Sequence, residues 1–194
     1  MTIFGTRPEA IKMAPLVKAL EKDPELEPIV VVTAQHREML DSVLKTFNIV
    51  PHHDLNIMKT GQTLSGITSK SMVQLEGIIK SEVPDMVLVH GDTVTTFSGA
   101  LAAFYNQTPI AHVEAGLRSY DKYSPFPEEM NRQMVGVMAD LHFAPTLNAA
   151  TNLINEGKAS DKVVVTGNTA IDAMDYTIDD QYTSQIIDKH RNKK

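Results

Sequence analysis

Met86-Val87-Leu88-Val89-His90-Gly91-Asp92-Thr93 decides the fold class of this chain. Four apolar residues in succession, without polar alternation, mark a strand covered on both faces, the normal state of a parallel sheet. The Gly-Asp-Thr that follows ends the strand and opens a helix. Working outward, the same unit recurs in both directions. Further strands are expected at Thr2–Phe4, Pro28–Thr33, Asp54–Ile57 (the weakest), Pro109–Glu114, Leu141–Ala144 and Lys162–Thr166. Helical patterns fall at Pro8–Lys22, Arg37–Phe47, Leu64–Glu82, Thr93–Asn106, Pro127–Ala139 and Leu147–Glu156. Short apolar runs alternating with helices describe βαβ units, hence an α/β fold with a Rossmann-like parallel sheet and helices on both faces.

Composition narrows the function. The 194 residues suffice for one well-buried core but are few for two full domains. A net charge of −6 offers no diffuse basic field to nucleic acid or to an anionic membrane. The chain has no cysteine, which excludes disulfides, thiolate catalysis and Cys-based metal sites. No apolar run approaches the roughly 18 residues that span a bilayer, and no signal-peptide pattern is present, so a cytoplasmic protein is expected. His52-His53 has no third ligand at metal spacing, and no metal site is expected. Met1–Phe4 reads as too short for a central strand, and the polar stretch Asp175–Lys194 as a connection, which together suggest a trimmed chain.

In a doubly wound sheet, ligands bind beyond the carboxyl ends of the strands, so the loops there are where chemistry is sought. After the first strand, Thr6 and Glu9 form a capping box, with Pro8 at the first helical position. Gly5 allows a tight turn, and Arg7 and Lys12 add positive charge near the helix N-terminus, unless both are simply solvated. Pro15 predicts a bend in that helix. Neither G-x-G-x-x-G nor a P-loop pattern occurs. Asp92 ends the most apolar strand and either meets a ligand or caps the next helix. Glu114 ends an apolar strand and demands a cation or a function; Arg118 is a candidate partner, and His112 reads as a hydrogen-bonded core histidine. Glu128, delivered by the stiff Pro125-Phe126-Pro127 loop, either faces the crevice or complements the helix dipole. Because Glu129 is adjacent, at most one of the two faces the crevice. Gln35 follows the second strand and either reaches the same crevice or is a helix-start residue, and Thr166-Gly167-Asn168-Thr169 reads as a turn into a capped helix.

Four stretches, Gly5 to Pro15, His90 to Thr93, His112 to Arg118 and Pro127 to Arg132, together resemble the non-hydrolysing UDP-N-acetylglucosamine 2-epimerases of bacteria. The motifs run in family order to about Asp172. The resemblance implies the N-terminal half of a two-domain glycosyltransferase-B-type fold, with the active site between the halves. Residues 1–174 are then the Rossmann-like N-terminal domain. Residues 175–194 are a linker or connecting helix towards a missing C-terminal domain that binds most of the UDP. It further implies interconversion of UDP-N-acetylglucosamine and UDP-N-acetylmannosamine through UDP elimination and re-addition, for cell-envelope polysaccharide synthesis. It implies no cofactor, a homodimer, and a chain that is inactive alone. Asp92, Glu114 and Glu128 match the acidic residues assigned to proton transfer and positioning at C2, and Arg7 and Lys12 match residues that engage the substrate. Gln35 matches a glutamine used by members that bind a second, activating ligand, but Glu38 and Gly61 stand where a second glutamine and an arginine are expected. The alternatives are half of a hydrolysing epimerase or glycosyltransferase, or a non-catalytic module in which Asp92, Glu114 and Glu128 point apart.

Overall fold

A computed structural model describes residues 1–34, 37–57, 61–178, 184 and 189. Its seven strands are β1 (Thr2–Phe4), β2 (Val30–Val32), β3 (His53–Asp54), β4 (Val87–His90), β5 (Ile110–Val113), β6 (Leu141–Ala144) and β7 (Val163–Val165). The helices between them are α1 (Arg7–Lys22), α2 (Arg37–Thr46), α3 (Leu64–Glu82), α4 (Val94–Tyr105), α5 (Glu128–Met138) and α6 (Leu147–Asn155). Two short helices, α7 (Thr169–Asp172) and α8 (Met174–Thr177), follow β7. All pairings are parallel, in the order β3-β2-β1-β4-β5-β6-β7.

Strand alternation sends neighbouring side chains to opposite faces, and the core divides accordingly. Phe4 and Val32 pack with Met13, Val17, Leu40 and Phe47 of α1 and α2. Ile3, Val31, Val87 and Val89 pack on the other face with Leu75, Ala103 and Val135 of α3, α4 and α5. The central strands are therefore covered on both sides, as their unbroken apolar runs require.

The structure refines the sequence reading around the first strand and helix. Thr2–Phe4 is short, yet it is a central strand between β2 and β4. Its ladder outruns its assigned length: Leu88 N donates to Met1 O at 2.8 Å, and Thr33 N donates to Phe4 O at 3.1 Å. Gly5 is needed for close approach rather than for a turn. A Cβ there would lie 1.9 Å from Thr33 Oγ1 and 2.8 Å from Thr95 Oγ1. As to Pro15, α1 continues through it as one helix with Pro15 buried.

The order places the topological switch point between β1 and β4, neighbours from which the chain winds in opposite directions. That is the place where such sheets bind ligands.

Candidate active site

A crevice of about 470 Å³ opens at this switch point, lined by Thr6, Glu9 and Lys12 of the β1–α1 segment, by His90 to Val94, and by Glu114, Pro127 and Glu128. The structure thus brings Lys12, Asp92, Glu114 and Glu128 to one place. Arg7 is exposed and is not among the lining residues; it borders a neighbouring hollow of about 300 Å³ with Ile11, Phe47 and Met174. Gln35 lies outside the described residues.

The floor is built on Glu9, which is only 2% exposed. The expected capping box is present. Glu9 Oε2 accepts from the N–H groups of Gly5 (3.0 Å) and Thr6 (2.6 Å). Its other oxygen, however, crosses to α4 and accepts from Thr93 Oγ1 at 2.7 Å, with Thr96 Oγ1 3.2 Å away. One carboxylate therefore joins the N-termini of two helices, which no local spacing announced.

Asp92 does not cap α4. Thr93 does, through its hydroxyl, which accepts from Thr96 N at 3.2 Å. Asp92 is one residue too early and turns its carboxyl to the crevice, where Arg132 Nη2 lies 3.4 Å from Oδ2. Burial raises the Asp92 pKa above the ordinary value; Arg132 opposes the shift, while Glu128 and Glu114 reinforce it.

Glu114 lies just beyond β5 in the left-handed region, at φ +63°. The pairing with Arg118 suggested by spacing does not form. Arg118 instead grips Glu156 with two hydrogen bonds of 2.7 Å. Glu114 is held by Lys12 Nζ, and His90 Nε2 lies 2.9 Å from its Oε2. That histidine contact is close but poorly angled, leaving both ring nitrogens of the buried His90 without a hydrogen-bond partner among the described residues. Burial favours the neutral acid at Glu114, but His90 and Lys12 outweigh it and hold the pKa at about 2.

Glu128 opens α5 and lines the crevice, whereas its neighbour Glu129 is fully buried beneath it. Glu129 accepts from Ser119 N (3.0 Å), Tyr120 N (3.1 Å) and Gln133 Nε2 (2.7 Å), and pairs with Arg132 Nε at 3.3 Å. Burial works against its ionisation, but these donors prevail and lower its pKa. His112 is the core histidine expected, with Nε2 donating to Gly91 O at 2.7 Å and burial holding its pKa down at about 3.

Sequence reasoning passed over His90, Asn131 and Arg132 as individuals. The last had a signal, since it stands three and four residues after Glu129 and Glu128 on one helix. His52 and His53 serve structure: His52 Nδ1 accepts from Val30 N at 3.0 Å, and His53 pairs with Glu82 at 2.7 Å. No group of metal-ligating side chains occurs among the described residues.

Comparison with known proteins gives these residues a context. The profile of the family described as UDP-N-acetylglucosamine 2-epimerase matches residues 18–194. The UDP-N-acetylglucosamine 2-epimerase of Bacillus subtilis (strain 168) is 61% identical over 189 residues, covering 97% of this chain and 50% of that protein. The S. aureus MnaA–UDP co-structure superposes with a TM-score of 0.93 at 77% identity, covering 100% of this chain and 51% of that one. UDP-GlcNAc 2-epimerase from Neisseria meningitidis, solved with UDP-GlcNAc bound, gives 0.86 at 54% identity, covering 89% and 47% respectively. The chain spans about half the length of the curated relatives it matches.

Proposed function

The chain belongs to the UDP-N-acetylglucosamine 2-epimerase family, and from that premise we propose that it forms one wall of a cleft where UDP-N-acetylglucosamine and UDP-N-acetylmannosamine interconvert at C2. On this reading residues 1–174 are the N-terminal half of a glycosyltransferase-B-type fold, and 175–194 lead towards a second half that binds most of the UDP. The observation that carries the proposal is the meeting of Asp92, Glu114 and Glu128 at one crevice, from three separate elements.

Inverting C2 requires a proton to leave one face and return to the other, hence more than one acid–base group. As the C2 proton is taken, its electrons form a C1–C2 double bond, the C1–O bond breaks and UDP departs. Re-addition of UDP to C1 with protonation on the opposite face of C2 completes the inversion. Nothing is oxidised or reduced. Asp92, whose carboxyl is pushed towards the neutral form, suits the proton-handling role, with Glu128 as the second group. Glu114, its pKa lowered by His90 and Lys12, is proposed to act at C2 beside them and keeps Lys12 at the crevice, where the lysine charge favours the departing diphosphate. Arg7 stands between Thr6 and Pro8, both of which line the crevice, and is proposed to meet the ligand where it extends past this wall. Gln35 is proposed as a further contact to ligand. On the family resemblance, the proposal includes a cytoplasmic homodimer supplying cell-envelope polysaccharide synthesis.

The test is product analysis by NMR in deuterated water, with the chain extended to the relatives' full length. Epimer carrying deuterium at C2 is expected, with no turnover by residues 1–194 alone. Free N-acetylmannosamine plus UDP, or a transferred sugar, would replace this reading with a hydrolase or a transferase. Turnover by residues 1–194 alone would show that the second half is not needed.

A further inference from the structure

The three crevice carboxylates stand on three elements: Asp92 after β4, Glu114 after β5, and Glu128 at the start of α5. Three consecutive carbonyls around Asp92 are each held by a side chain from elsewhere. The His90 carbonyl accepts from Thr96 Oγ1, the Gly91 carbonyl from His112 Nε2 at 2.7 Å, and the Asp92 carbonyl from Asn131 Nδ2 at 2.9 Å. Gly91 N–H also donates to Val113 O at 2.9 Å. Both polar groups of Gly91 are thus bound to β5, at the two residues just before Glu114. Asn131 in turn lies on α5 three residues after Glu128. Neither His112 nor Asn131 lines the crevice; they are 0% and 5% exposed.

The geometry has a specific effect on Asp92. The peptide plane before its Cα carries the Gly91 carbonyl, and the plane after it carries its own carbonyl. With both planes pinned, φ and ψ at Asp92 are set, and so is the direction in which its side chain leaves the backbone. Gly91 itself sits at φ +69°, a left-handed conformation that surrounding structure must hold in place. We propose that His112 and Asn131 are positioning residues that fix the mutual placement of Asp92, Glu114 and Glu128, acting through the Gly91 and Asp92 carbonyls without touching the ligand. The proposal rests on the epimerase reading of the crevice. It also requires the Nε2–H form of His112, because a carbonyl only accepts. Nδ1 is then bare, and it has no hydrogen-bond partner among the described residues.

His112→Leu and Asn131→Leu remove the donors, while His112→Gln keeps an N–H. In the chain extended to the relatives' full length, each Leu variant is expected to lower kcat roughly 10-fold or more, as small misplacements of reacting groups do, with KM within about threefold. His112→Gln recovers most of that loss. A folded Leu variant with kcat within about threefold of the unsubstituted protein overturns the proposal, as does a His112→Gln that recovers nothing. Should the Leu variants fail to fold, 15N NMR of the unsubstituted chain decides. A proton on Nε2 and a bare Nδ1 are expected; the opposite tautomer overturns the proposal. If the unsubstituted extended protein does not epimerise, that result falls on the reading of the site. The Asp92 13C titration then decides the positioning role: its midpoint must move by about half a unit or more in His112→Leu, and an unmoved midpoint overturns it.

Discussion

Glu9 and Asp92 lie at the starts of neighbouring helices and line the same crevice, yet their surroundings have little in common. Glu9 accepts from two backbone N–H groups and the Thr93 hydroxyl. Asp92 has one arginine contact at 3.4 Å and two further carboxylates near enough to raise its pKa. A carboxylate whose lone pairs are filled by its own fold is a structural part. One left short of donors, and crowded by like charge, has capacity reserved for something else. The same contrast is repeated one residue apart on α5, between saturated Glu129 and crevice-facing Glu128.

The sharpest challenge to this division is acid, and the largest effect should come from neither region. Buried His112 and His142 have pKa values held down at about 3 and about 4 by burial. Unfolded imidazole takes up a proton below about 6.5. The unfolded state then binds more protons, so stability falls as pH drops from about 6.5 towards 4, by up to ~1.4 kcal/mol per pH unit for each histidine. Glu114 and Glu129 have lowered values, so they contribute stability that is lost only below the ordinary carboxylate range. Asp92, raised, works in the opposite direction and gains as pH falls. Denaturant melts across this range should show loss beginning above pH 5. A flat profile from pH 7 to 5 would mean that the histidines are not buried neutral.

Glu9→Ala is next in size. It strands up to three donors at the junction of α1 and α4, and should cost about 3 kcal/mol in a denaturant melt, given 1–3 kcal/mol per unsatisfied buried group. A loss below about 1 kcal/mol would erase the distinction between floor and mouth. Asp92→Asn should show the mirror pattern. Stability should change by less than about 0.5 kcal/mol, since Thr93 and not Asp92 caps the helix. Exchange of the C2 proton with deuterated solvent, in the chain extended to the relatives' full length, should fall roughly 100-fold or more. Wild-type exchange would remove Asp92 from the chemistry.

The strands and helices were legible because each follows from a local pattern: apolar runs such as 86–89 for the strands, and amphipathic spacing with caps for the helices. The crevice carboxylates were legible because each stands immediately after a strand or at a helix start. Partner choice was not. Arg118 is four residues from Glu114, yet it turns to Glu156, which receives its guanidinium side-on with two bonds. The place near Glu114 is taken by Lys12 and His90, which sit on α1 and β4. The cap of α4 slipped by one residue because Thr93 has the extended backbone (φ −70°, ψ 168°) that lets a hydroxyl reach back to Thr96 N. Spacing along the chain reports which groups exist; only packing across the sheet decides which of them meet.

The switch point between β1 and β4 has a consequence for how the site comes into being. The bond from Lys12 to Glu114 closes a gap of 102 positions, that from Thr93 to Glu9 one of 84, and that from Asn131 to Asp92 one of 39. Contacts of such separation form late, because the entropy of closing the intervening chain must be overcome before they return anything. No hairpin or single βαβ unit holds the whole of this crevice. The binding-competent arrangement and the completed sheet are one event, so a ligand that fits the crevice acts as a clamp on the whole domain. Its affinity is read out directly as resistance to global unfolding.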